Sequence, residues 1–180
     1  QAGSAISGKD LFIKVTANKK RVHEQEPVLL TYKVYTQVDL TQLDGKIAAA
    51  NGDDKAHLES LKGKVAIANA KLAYQHYLKI IGSDRWKKLA AKGAQVQRLL
   101  WASTGTKNKA YSDVLYVEEL IGRDTVNTVP PATLDAFRDH GKPRDSLEQN
   151  IPDAERVLAD LSKGGISLDA ITDALVEDGV

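Results

Sequence analysis

The segment Ser103–Asn108 carries the side chains best suited to binding an anion. It contains hydroxyl groups and a glycine, followed by Lys107 and Asn108, so it offers hydrogen-bond donors and a positive charge to a phosphate. It directly follows residues 97–102, which we predict to form a buried strand, and parallel sheets and barrels bind ligands at the carboxyl ends of their strands. The GxxxxGK[ST] spacing of a P-loop is absent. A solvated turn rich in Ser, Thr and Gly is the alternative interpretation.

Acidic and amide side chains further along the chain are weaker candidates. Asp113, Glu118 and Glu119 fall on one predicted helix, where a solvated face and the helix macrodipole account for them. Asp124 and Asn127 flank a predicted strand, and the amide of Asn127 either points into a site or forms a cap or turn. We therefore assign no catalytic role to these residues.

The histidines give no indication of a metal site. They lie on separate predicted elements and lack the spacing typical of metal ligands. They are His23, His57, His76 and His140. We accordingly predict no metal ligands, and nothing in the sequence gives a Ser–His–Asp triad its geometry.

A lysine nucleophile is not indicated either. Schiff-base chemistry needs a lysine in an apolar pocket that lowers its pKa, and such a lysine usually projects inward from a strand. The predicted strands within residues 97–129 contain no lysine. Lys14 and Lys33 fall on the polar faces of earlier predicted strands, so we interpret both as solvated.

The elements that must position these residues change in character near residue 46. Before that point the alternation of apolar and polar residues predicts strands over 11–16 and 28–35, and Asp44-Gly45 predicts a turn. Beyond it, apolar residues recur every three or four positions over 58–80. This spacing predicts an amphipathic helix or a helix pair, with Gly63 as its weak point.

Residues 97–140 predict the order strand, helix, strand, helix, which is typical of a parallel α/β fold. The predicted elements after residue 80 are a helix capped by Ser83 and ended by Gly93, a strand at 97–102, a helix capped by Ser112 and ended by Gly122, a strand at 124–129, a helix at 132–140 with Pro131 in its first turn, and helices over about 152–162 and 168–177, the last capped by Ser167.

The composition is that of an ordinary globular chain. The 180 residues are 42% hydrophobic and 27% charged with a net charge of +1, which suits one domain or two small ones and gives no general attraction to nucleic acid. No apolar run reaches the roughly 18 residues that cross a bilayer. Without cysteine there are no disulfides or thiolate nucleophiles. The lack of Met and the start at Gln1 lead us to expect a removed leader or a trimmed chain.

Five segments resemble the transaldolase family. They are VAIANAKLAY at 65–74, WASTGTKN at 101–108, YSD at 111–113, YVEELIG at 116–122 and DTVNTVPPATL at 124–134. The resemblance extends from about Ile47 to Val180, which is 134 residues. It fits the longer bacterial and plant-like branch of the family.

This resemblance implies a fold and a chemistry. The family fold is a (β/α)8 barrel, so the chain is expected to be α/β and helix-rich, with the last two βα units of such a barrel behind a short antiparallel β segment, and not a complete TIM barrel. The family enzymes belong to the pentose phosphate pathway and transfer a dihydroxyacetone unit between sugar phosphates through a lysine Schiff base, without a cofactor.

The same resemblance assigns the site residues. It implies that Ser103 and Lys107, with Thr106 and Asn108, bind the phosphate of a sugar phosphate. The strand that bears the Schiff-base lysine has no counterpart in this sequence. The resemblance therefore implies no catalytic residue and an inactive chain.

Residues 7–46 resemble a different family, the BatD aerotolerance proteins, which are envelope proteins with immunoglobulin-like β-sandwich modules. The resemblance lies in residues 8–20 and 24–35. It implies a chimera of a β segment at 1–46 and a transaldolase-like segment at 47–180. The transaldolase-like part implies a cytoplasmic location, whereas the BatD-like start implies the envelope.

A non-catalytic structural or interaction module is the alternative function. An incomplete barrel leaves strand edges uncovered, and unpaired edges favour pairing with another chain. We therefore expect self-association or a partner chain. The remaining expectations are a sugar phosphate ligand, no nucleic acid and no membrane span.

Overall fold

Helices make up most of the structure, a computed structural model that describes residues 13–17, 30–34, 40–171 and 173. The elements are β1 (Ile13–Ala17), β2 (Leu30–Val34), α1 (Leu40–Ala49), α2 (Gly52–Ser60), α3 (Val65–Gly82), α4 (Asp84–Ala90), β3 (Leu99–Ala102), α5 (Leu115–Glu119), β4 (Thr125–Thr128), α6 (Pro131–His140) and α7 (Ile151–Lys163). No helix within these described ranges is long and apolar enough to cross a membrane.

The first two strands form an antiparallel pair. Their register places Ile13 opposite Val34, Val15 opposite Tyr32 and Ala17 opposite Leu30. This confirms the two strands predicted before residue 40 as far as residues 13–17 and 30–34 are described; the predicted positions 11, 12, 28, 29 and 35 lie outside the described residues. The rest of the predicted BatD-like segment before residue 40 lies outside the described residues, and the domain division at residue 46 stays a prediction.

The predicted turn at Asp44-Gly45 is wrong, because both residues lie inside α1. Leu43 and Ile47 are one helical turn apart and both are buried in the core. Burial of this pair favours the helix by more than the roughly 1 kcal/mol that an interior glycine costs. Core packing therefore outweighs the local preference of Asp44-Gly45 for a turn.

The weak point predicted at Gly63 is confirmed. It separates α2 from α3 and has a φ of +72°, in the left-handed region that glycine adopts without strain. A Cβ at this position would also lie 3.4 Å from the ring of Tyr111. The predicted helix is therefore a pair.

Two apolar clusters form the core of the described part. The first joins the amino-terminal helices to α7 and consists of Leu43, Ile47, Leu58, Leu61, Val65, Leu161, Ile166 and Ile171. The second joins α3 to β3 and α5 and consists of Ala70, Tyr74, Tyr77, Leu99, Trp101, Leu120 and Leu147. α3 contributes to both clusters, so it is the central element of the fold.

Strands β3 and β4 pair in parallel, with Leu99 opposite Thr125 and Ala102 opposite Thr128. This confirms the parallel α/β order predicted for residues 97–140 and gives a helix-rich α/β structure. The prediction of a fully buried strand is wrong for β3. Leu99 and Trp101 are buried, but Leu100 between them is 50% exposed because the described chain covers one face of the sheet.

The predicted caps at Ser83 and Ser167 are confirmed, whereas the cap predicted at Ser112 is wrong, because α5 begins after Val114 and has no side-chain cap. Ser83 Oγ accepts a hydrogen bond from the Trp86 N–H at 3.2 Å, and Ser167 Oγ accepts one from the Ala170 N–H at 3.2 Å. Ser112 Oγ accepts a longer one from the Val114 N–H at 3.4 Å, just before α5. α6 ends at His140 as predicted, whereas residues 172 and 174–177 of the last predicted helix lie outside the described residues.

Candidate functional site

The loop 103–108 begins at the carboxyl end of β3, and the parallel pairing brings the carboxyl end of β4 to the same edge. Thr104 is almost fully buried, and its Oγ1 donates a hydrogen bond to Asn127 Oδ1 at 2.8 Å. Thr128 Oγ1 donates to the carbonyl oxygen of Trp101 at 3.2 Å. Side chains of β4 thus hold the start of the loop at this edge.

A glycine lets the loop approach α6 closely. A Cβ at Gly105 would lie 3.1 Å from Thr133 Oγ1 and 3.3 Å from Pro130 Cγ. A larger residue would push the loop away from the start of α6, because contacts this short are rare for real Cβ atoms. Gly105 therefore sets the position of the loop.

The predicted phosphate-binding residues lie together on this loop but differ in exposure. Ser103, Lys107 and Asn108 are exposed. The Oγ1 atom of Thr106 is shielded from solvent and has no hydrogen-bond partner among the described residues. Ser103 has a φ of +58°, an uncommon conformation for a residue with a side chain. Asn108 Oδ1 accepts a hydrogen bond from the Ala110 N–H at 2.9 Å, which forms a turn after the loop.

Two anchoring residues were not identified from the sequence. Thr104 lies inside the predicted loop but is buried and holds it, and Asn127 accepts its hydrogen bond instead of pointing into a site or capping a turn. A threonine directly after a buried strand is a weak signal, because its partner is 23 residues away.

A buried lysine was also missed. Lys71 on α3 is 5% exposed, and its Nζ donates to Glu119 Oε2 at 3.1 Å and to the Gln149 carbonyl at 3.2 Å. Arg144 binds the other carboxylate oxygen of Glu119. The interpretation as a solvated face is therefore wrong for Glu119, whereas Glu118 Oε1 accepts the Lys142 N–H at 2.7 Å in an exposed position.

The histidines lie apart, as the sequence predicts. His57 and His76 are exposed, and His23 lies outside the described residues. His140 Nε2 lies 2.9 Å from Asp113 Oδ1 and its Nδ1 lies 3.1 Å from Asp139 Oδ2. These hydrogen bonds, that of Asp113 first, raise the pKa of His140 above 6.5. In the described ranges no group of three or more His, Asp or Glu side chains is arranged to hold a metal ion.

The two lysines considered as nucleophiles lie on the other sheet. The register of β1 and β2 places Lys14 opposite Lys33. That two-stranded sheet is separate from the pair β3 and β4 that bears the loop.

Known proteins similar to this chain include transaldolases. The family described as transaldolase/fructose-6-phosphate aldolase matches residues 41–180, six residues earlier than the predicted start near Ile47. Transaldolase of Trichodesmium erythraeum is 57% identical over 128 residues, which cover 70% of this chain and 34% of that protein. Transaldolase 2 of Nostoc sp. PCC 7120 is 52% identical over 153 residues, which cover 81% of this chain and 40% of that protein.

A third similar protein, with a lower identity, is also a transaldolase. Transaldolase of Thiobacillus denitrificans is 48% identical over 140 residues, covering 78% of this chain and 38% of that protein. The chain therefore spans between 34% and 40% of the length of these relatives. The family match extends over β3, β4 and the loop 103–108 that they position. On this match, the chain belongs to the transaldolase/fructose-6-phosphate aldolase family.

Proposed function

We propose that the chain binds a sugar phosphate through Ser103, Thr106, Lys107 and Asn108. The observation that supports this most directly is the anchoring of the loop at the carboxyl edge of β3 and β4, where parallel barrels bind phosphate. The Thr104–Asn127 hydrogen bond holds the backbone of the loop, while the side chains of Ser103, Lys107 and Asn108 face solvent. An anchored backbone lowers the entropic cost of ordering the loop around a ligand.

Each side chain has a distinct part in the proposed binding. Lys107 supplies the positive charge, and Ser103 supplies a hydroxyl donor. Asn108 uses its Oδ1 within the loop, which leaves its amide nitrogen to donate to a phosphate oxygen. Thr106 supplies a further hydroxyl once its side chain rotates toward the ligand, because its Oγ1 is shielded but has no partner among the residues described.

The reaction of the parent family is the transfer of a dihydroxyacetone unit between sugar phosphates through a lysine Schiff base. We propose that this chain alone does not perform it, because the strand that bears the lysine lies outside the segment that resembles the family. Lys71 is not a substitute, since its ammonium group is buried and bound to Glu119. In keeping with this chemistry we propose a cytoplasmic location and no cofactor.

Calorimetry with fructose 6-phosphate tests the binding. Lys107→Ala is expected to weaken binding about tenfold, since one charge-assisted hydrogen bond contributes roughly 1.5 kcal/mol. Lys109→Ala is the matched control, because Lys109 is also exposed and lies two residues further on. Equal affinities for the two variants would remove the role assigned to Lys107.

Borohydride reduction in the presence of fructose 6-phosphate tests the proposed inactivity. A Schiff base would be reduced to a stable amine on the lysine, and mass spectrometry would locate it. We expect no adduct on any lysine. A stoichiometric adduct would contradict the proposal and would name the lysine responsible.

A non-catalytic interaction module is the second candidate function, and the exposure of Leu100 favours it. Leu100 is 50% exposed on β3 between the buried Leu99 and Trp101, so an apolar side chain faces away from the core of the described part. A second copy or a partner chain that covers this face would explain the exposure of Leu100. The chimeric β segment at 1–46 would contribute to the same interface. Light scattering across protein concentrations should show association that Leu100→Ser weakens, whereas a constant monomer mass would exclude self-association.

A further inference from the structure

We propose that the exposed face of α4 binds a small organic anion that carries a phosphate at each end, at a site separate from the loop 103–108. Arg85, Lys88, Leu89 and Lys92 line an open groove of about 340 Å³ on this face. All four side chains are exposed. The proposal does not depend on the function proposed for the loop.

Positive charge is concentrated in the stretch of sequence that contains the groove residues. Residues 79–98 contain six Lys or Arg side chains and one carboxylate, that of Asp84, whereas the net charge of the whole chain is +1. The remainder of the chain is therefore net acidic. A local cluster of cations in a chain that is otherwise net acidic attracts anions to that surface and not to the others.

The cations of the groove are not neutralised by the described part of the chain. Asp84, the one carboxylate nearby in sequence, lies 3.7 Å from Lys87, which does not line the groove. No carboxylate of the described residues forms an ion pair with Arg85, Lys88 or Lys92. Three cations that the described residues leave unpaired around one concave surface favour an anionic ligand.

The spacing of the groove residues favours a ligand with two separated charges. Arg85 and Lys88 lie three residues apart on α4, which ends at Ala90, and Lys92 lies in the turn that follows the helix. Leu89 is 43% exposed between the charged ends. A carbon skeleton can contact Leu89 while a phosphate at one end binds the planar, bidentate guanidinium of Arg85 and the other binds Lys92.

This arrangement distinguishes a bisphosphate from related anions. Pyrophosphate carries its charges on adjacent groups and has no carbon skeleton to contact Leu89. A monophosphate engages one end, where a single exposed ion pair contributes little. We therefore expect a sugar bisphosphate to bind more tightly than either.

Nuclear magnetic resonance titration of the ¹⁵N-labelled full chain tests the proposal. The Lys107→Ala background is used so that the loop 103–108 does not dominate binding. Fructose 1,6-bisphosphate should give saturable shifts of the amides of residues 84–93, with an affinity about tenfold higher than that of pyrophosphate or fructose 6-phosphate. Added salt should weaken the binding, because the contacts are exposed ion pairs.

Two further variants separate the groove from general surface charge. Arg85→Gln with Lys88→Gln should weaken fructose 1,6-bisphosphate binding about tenfold. Lys87→Gln, on the same helix but outside the groove, should leave it unchanged. All three positions are exposed, so the fold should be retained, and circular dichroism checks this.

Several results would overturn the proposal. It would be overturned if the chain bound the three phosphates with equal affinity, or if only the amides of residues 103–108 shifted. It would also be overturned if the groove variant and the Lys87→Gln control changed binding equally. Tighter binding of a single-stranded oligonucleotide than of the bisphosphate at the same salt concentration would assign the surface to nucleic acid instead. Because the groove residues and Lys107 are tested separately, failure here leaves the proposed role of the loop unaffected.

Discussion

The ammonium group of Lys71 lies 3.1 Å from the carboxylate of Glu119, although the two residues are 48 positions apart. Lys71 is on α3, which contributes to both apolar clusters, and Glu119 is the last residue of α5. The same ammonium group binds the Gln149 carbonyl, just before α7. One buried cation thus connects three parts of the chain.

Lys71→Met is therefore expected to lower the free energy of unfolding by about 2–4 kcal/mol, because it leaves the partly buried Glu119 without its buried partner. Arg144 still binds Glu119, which keeps the loss below that of a fully isolated charge. Chemical denaturation measures the difference. Lys79→Met on the same helix is the control, since Lys79 is exposed and should change stability by less than about 0.5 kcal/mol. Equal losses for the two variants would contradict the structural role of Lys71.

The Thr104–Asn127 hydrogen bond should couple the loop to β4. Asn127→Ala leaves the buried Thr104 hydroxyl without its partner, so we expect a loss of about 1–3 kcal/mol in stability and weaker binding of fructose 6-phosphate. Thr104→Val in the Asn127→Ala background should cost little more, because the unpaired hydroxyl is then removed. A double-mutant cycle by denaturation and calorimetry measures this coupling, and strictly additive losses would show that the bond does not hold the loop.

Gly122 should tolerate no side chain. A Cβ there would lie 2.6 Å from Cδ2 and 2.7 Å from Cβ of Leu147, which is fully buried. Gly122→Ala is expected to lower the free energy of unfolding by about 1–3 kcal/mol through overpacking. Gly82→Ala is the matched control, because nothing lies within 4 Å of its added Cβ and alanine favours helix by about 1 kcal/mol. The thermal denaturation midpoint should therefore fall for Gly122→Ala and rise for Gly82→Ala.

His140 should make the stability of the chain depend on pH. Its pKa is raised above 6.5 by hydrogen bonds to Asp113 and then Asp139, so the folded state favours the protonated ring. The resulting stabilisation is fully present below the unfolded-state pKa of about 6.5 and disappears as the pH rises through the folded-state pKa.

His140→Gln should consequently lower the denaturation midpoint at about pH 5 and leave it nearly unchanged at about pH 9. Asp113→Asn should reproduce this pH dependence, because it removes the partner with the larger effect. A difference between wild type and His140→Gln that is the same at both pH values would show that the ion pair does not contribute.

Features set by short stretches of chain were predictable. The Ser83 cap depends on residues three positions apart, the break at Gly63 on a backbone conformation that glycine favours, and the extent of α6 on Pro131 and Gly141 at its ends. The parallel order of β3 and β4 followed from the alternation of strand and helix patterns along the chain. The candidate phosphate loop was identified for the same reason, since its side chains are adjacent in sequence.

Other features required the folded chain. The turn signal at Asp44-Gly45 was overridden because Leu43 and Ile47 pack against residues as distant as Leu161 and Ile171. Leu100 was predicted to be buried from an apolar run, but its exposure depends on which face of the sheet is covered.

Residues close together along the chain were enough to predict the family, the order of helices and strands over residues 58–163, and the side chains of the loop 103–108. Tertiary structure alone decided the partners of those residues. Asn127 anchors Thr104 from 23 residues away, and Glu119 holds Lys71 from 48 residues away. Local periodicity carries no information about such distances, since they are set by how helices and strands pack against one another.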